Sequence, residues 1–93
     1  MAISVHFSPQ GMDKAKYDEV IRRLQAAGAG APPGRLHHSC YDPGNGQLQV
    51  MDIFDSQENF QAFGGTLVPI LSALAIDVGQ PTVGQVHNII RGA

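Results

Sequence analysis

Residues Leu48–Phe60, LQVMDIFDSQENF, read as a buried strand running straight into a capped helix. Successive side chains of a strand point to opposite faces. Leu48, Val50, Met51, Ile53 and Phe54 therefore put apolar groups on both sides, as expected of a strand held between two covering layers. Asp52 breaks the run. It shares a face with Val50 and Phe54, and a carboxylate there needs a partner, water or a chemical task, because burying it alone is costly. Asp55 or Ser56 is the expected helix cap, with Glu58 at the capping-box position if Asp55 is the cap.

Ninety-three residues suit one domain spanning 1–93. A chain this short buries a modest share of its surface, so oligomerisation is an expected source of stability. With 43% hydrophobic residues the composition is that of a globular protein. The net charge is −2 and lysines and arginines do not cluster, which argues against a nucleic-acid partner, since phosphate neutralisation supplies most of that affinity. The single cysteine, Cys40, permits no intrachain disulfide and spells out no cysteine-based zinc site. No apolar run is long enough to cross a bilayer, and MAISVHFSPQ lacks the basic start and apolar centre of a signal peptide. The expected location is cytoplasmic, with no membrane partner.

The rest of the chain builds outward from the quoted stretch. Ala2–Ser8 alternates, with Ile3, Val5 and Phe7 on one face and Ser4 and His6 on the other. Asp13–Ala27 has the helical stripe Tyr17, Val20, Ile21, Leu24 and Ala27, a cap at Asp13 and acid-first pairs Asp18–Arg22 and Glu19–Arg23. GAGAPPG at 28–34 reads as a connector, with a lid as the functional alternative. Arg35–Tyr41 is a strand with Leu36, His38 and Cys40 facing one way and His37, Ser39 and Tyr41 the other. DPGNG at 42–46 is a hairpin turn, and Gln47–Phe54 returns antiparallel. Phe60, Phe63, Leu67, Ile70, Leu71 and Leu74 form the stripe of the second helix, with a kink or break expected near Gly64–Val68 because Pro69 cannot donate to the ladder. Thr82–Ile90 is the last strand, and 91–93 is a frayed tail.

Strand, helix, strand, strand, helix, strand is the ferredoxin-like split arrangement, an α+β sandwich whose first and third strands are central in an antiparallel sheet. Both helices then cover one face. The other face must carry either Leu48, Val50 and Phe54 or Met51 and Ile53, and an apolar sheet face left bare marks an interaction surface. A second copy of the chain, in a homodimer through sheet faces, is the simplest cover.

Four segments carry a resemblance: GMDKAKYDEVIRRL, VMDIFDSQENFQAF, LVPIL and VHNII. Together they resemble the dimeric α+β barrel superfamily, in particular its group related to antibiotic-biosynthesis monooxygenases. The most telling feature is an acid two residues before an aromatic, followed by a capped helix start. The resemblance spans nearly the whole chain and implies two ferredoxin-like subunits joined sheet to sheet. It also implies a pocket in which relatives oxidise polyphenols without a cofactor or bind or degrade haem. Those relatives commonly place a tryptophan and an asparagine in the pocket. This chain has no tryptophan; Phe54 stands at the aromatic position and Asp52 at the acid.

The expected pocket draws its chemistry from His6, His38 and Asp52, with Phe54, His87 and Asn88 against the ligand. A neutral imidazole beside a carboxylate is a workable general base for a phenolic or enolic proton. The expected substrate is an aromatic or polyketide-like small molecule, and no cofactor is expected. The other reading of the histidines is that each is simply hydrogen-bonded in the sheet or at an interface. A metal on His6, His38 and Asp52 is the less favoured alternative, since adjacent His37 and His38 point to opposite faces and no local ligand spacing supports it. The alternative function is a non-catalytic dimeric module that binds a ligand or partner.

Overall fold

The alternation of Ile3, Val5 and Phe7 becomes strand β1, Ile3–Phe7, with those three side chains buried and Ser4 and His6 on the opposite face. This computed structural model describes residues 1–92; Ala93, the end of the expected tail, lies outside the described residues. Five more elements follow: α1 (Lys14–Ala26), β2 (Arg35–Tyr41), β3 (Gln49–Phe54), α2 (Gln57–Ala73) and β4 (Thr82–Gln85). The sheet order is β2-β3-β1-β4, all antiparallel, so β1 and β3 are central as the topology required.

Local signals explain most boundaries. Asp13 caps α1 by accepting from the Lys16 amide at 2.7 Å. Asp42 closes the β2–β3 turn by accepting from the amides of Gly44 and Gly46. Ser56, not Asp55, caps α2, accepting from the Asn59 amide, while Asp55 accepts instead from the Asn59 side chain. Gly34, at φ 83°, brings the end of the 28–34 loop against α2; a Cβ there would overlap the side chains of Asp55 and Asn59. Its carbonyl accepts from the Asp55 amide at 2.8 Å, which ties the start of β2 to the end of β3.

Three expectations are corrected. Helix α2 runs without a break through Gly64, Gly65 and Pro69; Pro69 faces solvent, where the amide it lacks costs least. The last strand stops at Gln85 rather than Ile90, because 86–92 leaves the ladder after Val86 bonds the Ala2 carbonyl. The pair Asp18–Arg22 does not form. Glu19 takes both arginines, Arg22 at 2.6 Å and Arg23 at 2.7 Å.

Those two hydrogen bonds hold the Glu19 carboxyl down at about 2 from its ordinary 4.5. A carboxyl whose folded value is lowered stabilises the fold above its unfolded value and loses that contribution as pH falls through the folded one. Acid unfolding should therefore steepen between pH 4.5 and 2, and Glu19→Gln should flatten that limb in a circular-dichroism titration. An unchanged limb in the variant would discount the pairing.

The core lies between the helices and one sheet face. It gathers Ile3, Val5 and Phe7 with Val50, Phe54, Val20, Leu24, Phe63 and Leu71. Register fixes which residues join it. Val5 pairs with Asp52 and Phe7 with Val50, so Asp52 faces the helices, whereas His6 pairs with Met51 on the bare side. Met51 and Ile53 are therefore the apolar residues that β3 gives to the uncovered face.

Candidate functional site

The site grows from the one polar residue buried in that core. Asp52 is 2% exposed on the central strand β3, facing α1. Strand β2 pairs His38 directly with Asp52, and the His38 Nδ1 lies 2.5 Å from Asp52 Oδ1. Helix α1 contributes Tyr17, whose hydroxyl lies 2.6 Å from His38 Nε2, with the two rings inclined by only 7°. Tyr17 opens the apolar stripe that continues through Val20 and Leu24, so the packing that buries the stripe also delivers the phenol.

The donors and acceptors follow from chemistry. Burial pushes the Tyr17 phenol above its ordinary value, and the neighbouring Cys40 and Asp52 push it the same way, so at neutral pH it holds its proton and donates. His38 Nε2 is then the accepting nitrogen, and Nδ1–H donates to Asp52 Oδ1; the network assigns this tautomer. Asp52 thus spends one oxygen on His38. No hydrogen bond from the described residues reaches the other carboxylate oxygen, Oδ2, and Asp52 is among the residues that border the adjoining cavity.

That cavity measures about 30 Å³ and lies between α1, α2 and the sheet. Its surface is almost wholly apolar, from residues such as Phe7, Val20, Val50 and Phe63, and Tyr17, His38, Asp52 and Arg35 are among the residues that border it. Arg35 reaches it through a β-bulge. The register of β2 on β3 shifts between Arg35 and His37, so Arg35 pairs with Phe54 and His38 with Asp52 on one face. Strict alternation had put Leu36 on that face; the extra residue turns Leu36 outward instead, to 44% exposure. Arg35 makes no ion pair with Asp52, whose partner is His38. Its Nη2 donates to the Gly30 carbonyl at 2.9 Å, and its guanidinium carbon lies 5.8 Å from the Phe63 ring centroid.

The expected site residues divide cleanly. His38 and Asp52 come together. His6 lies on the opposite face of the sheet and cannot reach them, which also separates the three groups considered for a metal. Among the described residues no cluster of three His, Cys, Asp or Glu side chains is placed to hold a metal ion. Phe54 is fully buried against Phe60 and Phe63 and belongs to the core, not to the cavity wall. His87 and Asn88 are exposed in the segment after β4; Asn88 borders an open depression on the bare face with Met51 and Ile53. Tyr17, read from the sequence as packing, is the residue that was missed. The available signal was a phenol inside an otherwise apolar helical stripe, because a buried tyrosine hydroxyl requires a partner. Cys40 shares the face of His38, but burial raises its thiol and disfavours the reactive thiolate.

No family model matches the sequence, and no curated protein matches it. Solved structures do share its fold. SnoaB, a cofactor-independent oxygenase from Streptomyces nogalater, superposes with a TM-score of 0.63 at 17% identity, covering 98% of this chain and 96% of that one. A protein of unknown function from Nitrosomonas europaea gives 0.63 at 18% identity, with 99% and 93% covered. A Caulobacter crescentus protein named "putative antibiotic biosynthesis monooxygenase" gives 0.60 at 18% identity, with 96% and 89% covered.

Proposed function

We propose, from a fold shared with the antibiotic-biosynthesis monooxygenase-like proteins, that this chain is a small-molecule-transforming enzyme, and specifically a cofactor-independent oxygenase of aromatic or polyketide-like substrates. The observation that carries the reading is the hydrogen-bonded chain Tyr17–His38–Asp52 on the wall of an apolar cavity. Titratable groups in such a setting are tuned for proton transfer more often than those on a surface. His38 Nε2 is occupied by Tyr17, so the free acceptor is Asp52 Oδ2. His38 steadies the opposite oxygen, and Tyr17 fixes the imidazole tautomer. Removing a phenolic or enolic proton leaves an electron-rich anion, the form in which such a substrate reacts with dioxygen. The test is oxygen uptake by the purified chain, with no cofactor added, across a panel of polyphenols and aromatic ketones. Uptake with product formation supports the proposal; none across the panel overturns it in favour of a binding module.

The same reading makes the protein a cytoplasmic homodimer. The face opposite the helices exposes Leu36 and Tyr41 and half-exposes Met51 and Ile53. Ile89 and Ile90 are exposed beside the depression on that face, Ile90 at 87%. A second copy pressing its sheet there would remove this apolar surface from water. Ile53→Lys should convert a sedimenting dimer to a folded monomer. A wild-type chain that sediments as a single copy at every concentration would remove the dimer from the proposal.

A further inference from the structure

We infer that Tyr17 is the door of the cavity and its built-in occupant: when its phenol swings out, a phenolic or enolic hydroxyl from solution takes its place on His38 Nε2. This deepens the proposed oxygenase reading and rests on it for its biological meaning. Size makes a door necessary. The interior, about 30 Å³, has room for roughly two waters. A small-molecule pocket usually runs to about 300–1,000 Å³, so nothing with a ring enters until a wall moves. Three side chains border both the cavity and a depression on the surface. Phe63 and Leu71 are core residues, 6% and 4% exposed, and Phe63 is further held by the Phe54 ring and the Arg35 guanidinium. Tyr17 is the third and the least buried; it faces a depression of about 250 Å³ that it shares with Cys40, Tyr41 and Leu48. Its hydroxyl is held by one hydrogen bond, to His38 Nε2 at 2.6 Å. Opening costs that bond and part of the packing of one ring, and breaks no ion pair.

What the door uncovers gives the ligand class. The His38–Asp52 pair already holds a phenol, because Tyr17 donates its O–H to Nε2 with the two rings inclined by only 7°. On opening, Asp52 Oδ1 still accepts from Nδ1–H, so the imidazole keeps its tautomer and Nε2 is left as an acceptor without a donor. An incoming hydroxyl restores the lost bond, and the apolar lining suits the ring that carries it. An ether brings no proton to Nε2, and a carboxylate would set a second negative charge near Asp52. Proton transfer then balances without another reagent. The O–H bond of the ligand breaks, an N–H bond forms at Nε2, and the electron pair stays on the ligand oxygen while the imidazolium remains paired with Asp52. In the closed state Tyr17, whose own proton is held in place by burial, blocks that step.

The experiment treats the full-length chain with diethyl pyrocarbonate, which acylates a neutral imidazole at a free nitrogen, and maps each histidine by mass spectrometry. His6 and His37, on the opposite sheet face, and His87, after β4, serve as internal references. Tyr17→Phe keeps the ring and removes the latch. It should raise the His38 rate roughly three- to tenfold, the worth of one hydrogen bond, and leave the references unchanged. Phenol should then protect His38 and not the references, and anisole, which lacks the O–H, should need roughly tenfold more. Protection of His38 by phenol in the wild-type chain is the second measurement should the variant fail to fold. An unchanged His38 rate in folded Tyr17→Phe, equal protection by phenol and anisole, or no protection by phenol would overturn the inference. The two readings fail separately. A door that admits phenol in a chain that takes up no oxygen on any substrate removes the oxygenase proposal alone. Oxygen uptake that persists while His38 reacts alike in both proteins removes the door alone.

Discussion

Asp52→Asn is expected to lower kcat/KM on any accepted substrate by about a hundredfold to ten-thousandfold, the usual worth of a positioned general base. The substitution is nearly isosteric. An asparagine carbonyl can still accept from His38 Nδ1–H, so the Tyr17–His38 contact survives, but the side chain can no longer take a proton. Because the variant buries no charge and leaves the packing intact, its melting temperature and assembly should stay close to wild type. Tyr17→Phe, measured beside it, should cost less, since it removes only the donor that orients Nε2. The contrast separates catalysis from architecture. If Asp52 served only to hold β2 against β3, the variant would keep turnover, because the asparagine carbonyl preserves the contact with His38. Full kcat/KM in a well-folded Asp52→Asn protein would end the assignment of Asp52 as the base.

Phe54→Ala should destabilise the fold by about 3–5 kcal/mol, the usual cost of truncating a buried phenylalanine. The side chain is wholly buried on a central strand, with its ring centroid 5.5 Å from that of Phe60 and 5.7 Å from that of Phe63. These three rings join the end of β3 to the first turns of α2, so the cavity left by alanine lies where the sheet and second helix meet. Domains of this kind have only about 5–15 kcal/mol of total stability, so such a loss should move the urea midpoint far towards zero or unfold the chain outright. Reading Phe54 as a ligand platform predicts the reverse: near-normal stability and a raised KM. Chemical denaturation decides between them, and a midpoint shift worth under about 1 kcal/mol would contradict the core assignment.

The two variants also mark how far local pattern reaches. The alternation in Gln49–Phe54 puts Asp52 and Phe54 on one face, and that is the face the helices cover. The same alternation could not distinguish their fates. Two residues further along the strand, Phe54 meets Phe60 and Phe63 and is sealed, while Asp52 meets His38, which in turn meets Tyr17, beside a cavity. His6 is separated from Asp52 for a related reason. Its place on β1 was read correctly, opposite Ile3, Val5 and Phe7, but joining it to Asp52 required a choice of sheet face. Pairing Val5 with Asp52 made that choice the other way.

By itself the sequence determined the six elements, their order, the central pair of strands and the presence of one carboxylate among core residues. These follow from side-chain periodicity, caps and turn residues, which act over a few neighbours along the chain. Tertiary structure alone decided the company that carboxylate keeps. Tyr17 is contributed by a helix 35 positions earlier, and Arg35 by a bulge that no periodicity announces. Both depend on register and on the placement of one layer over another, which are set by the packing of the whole core.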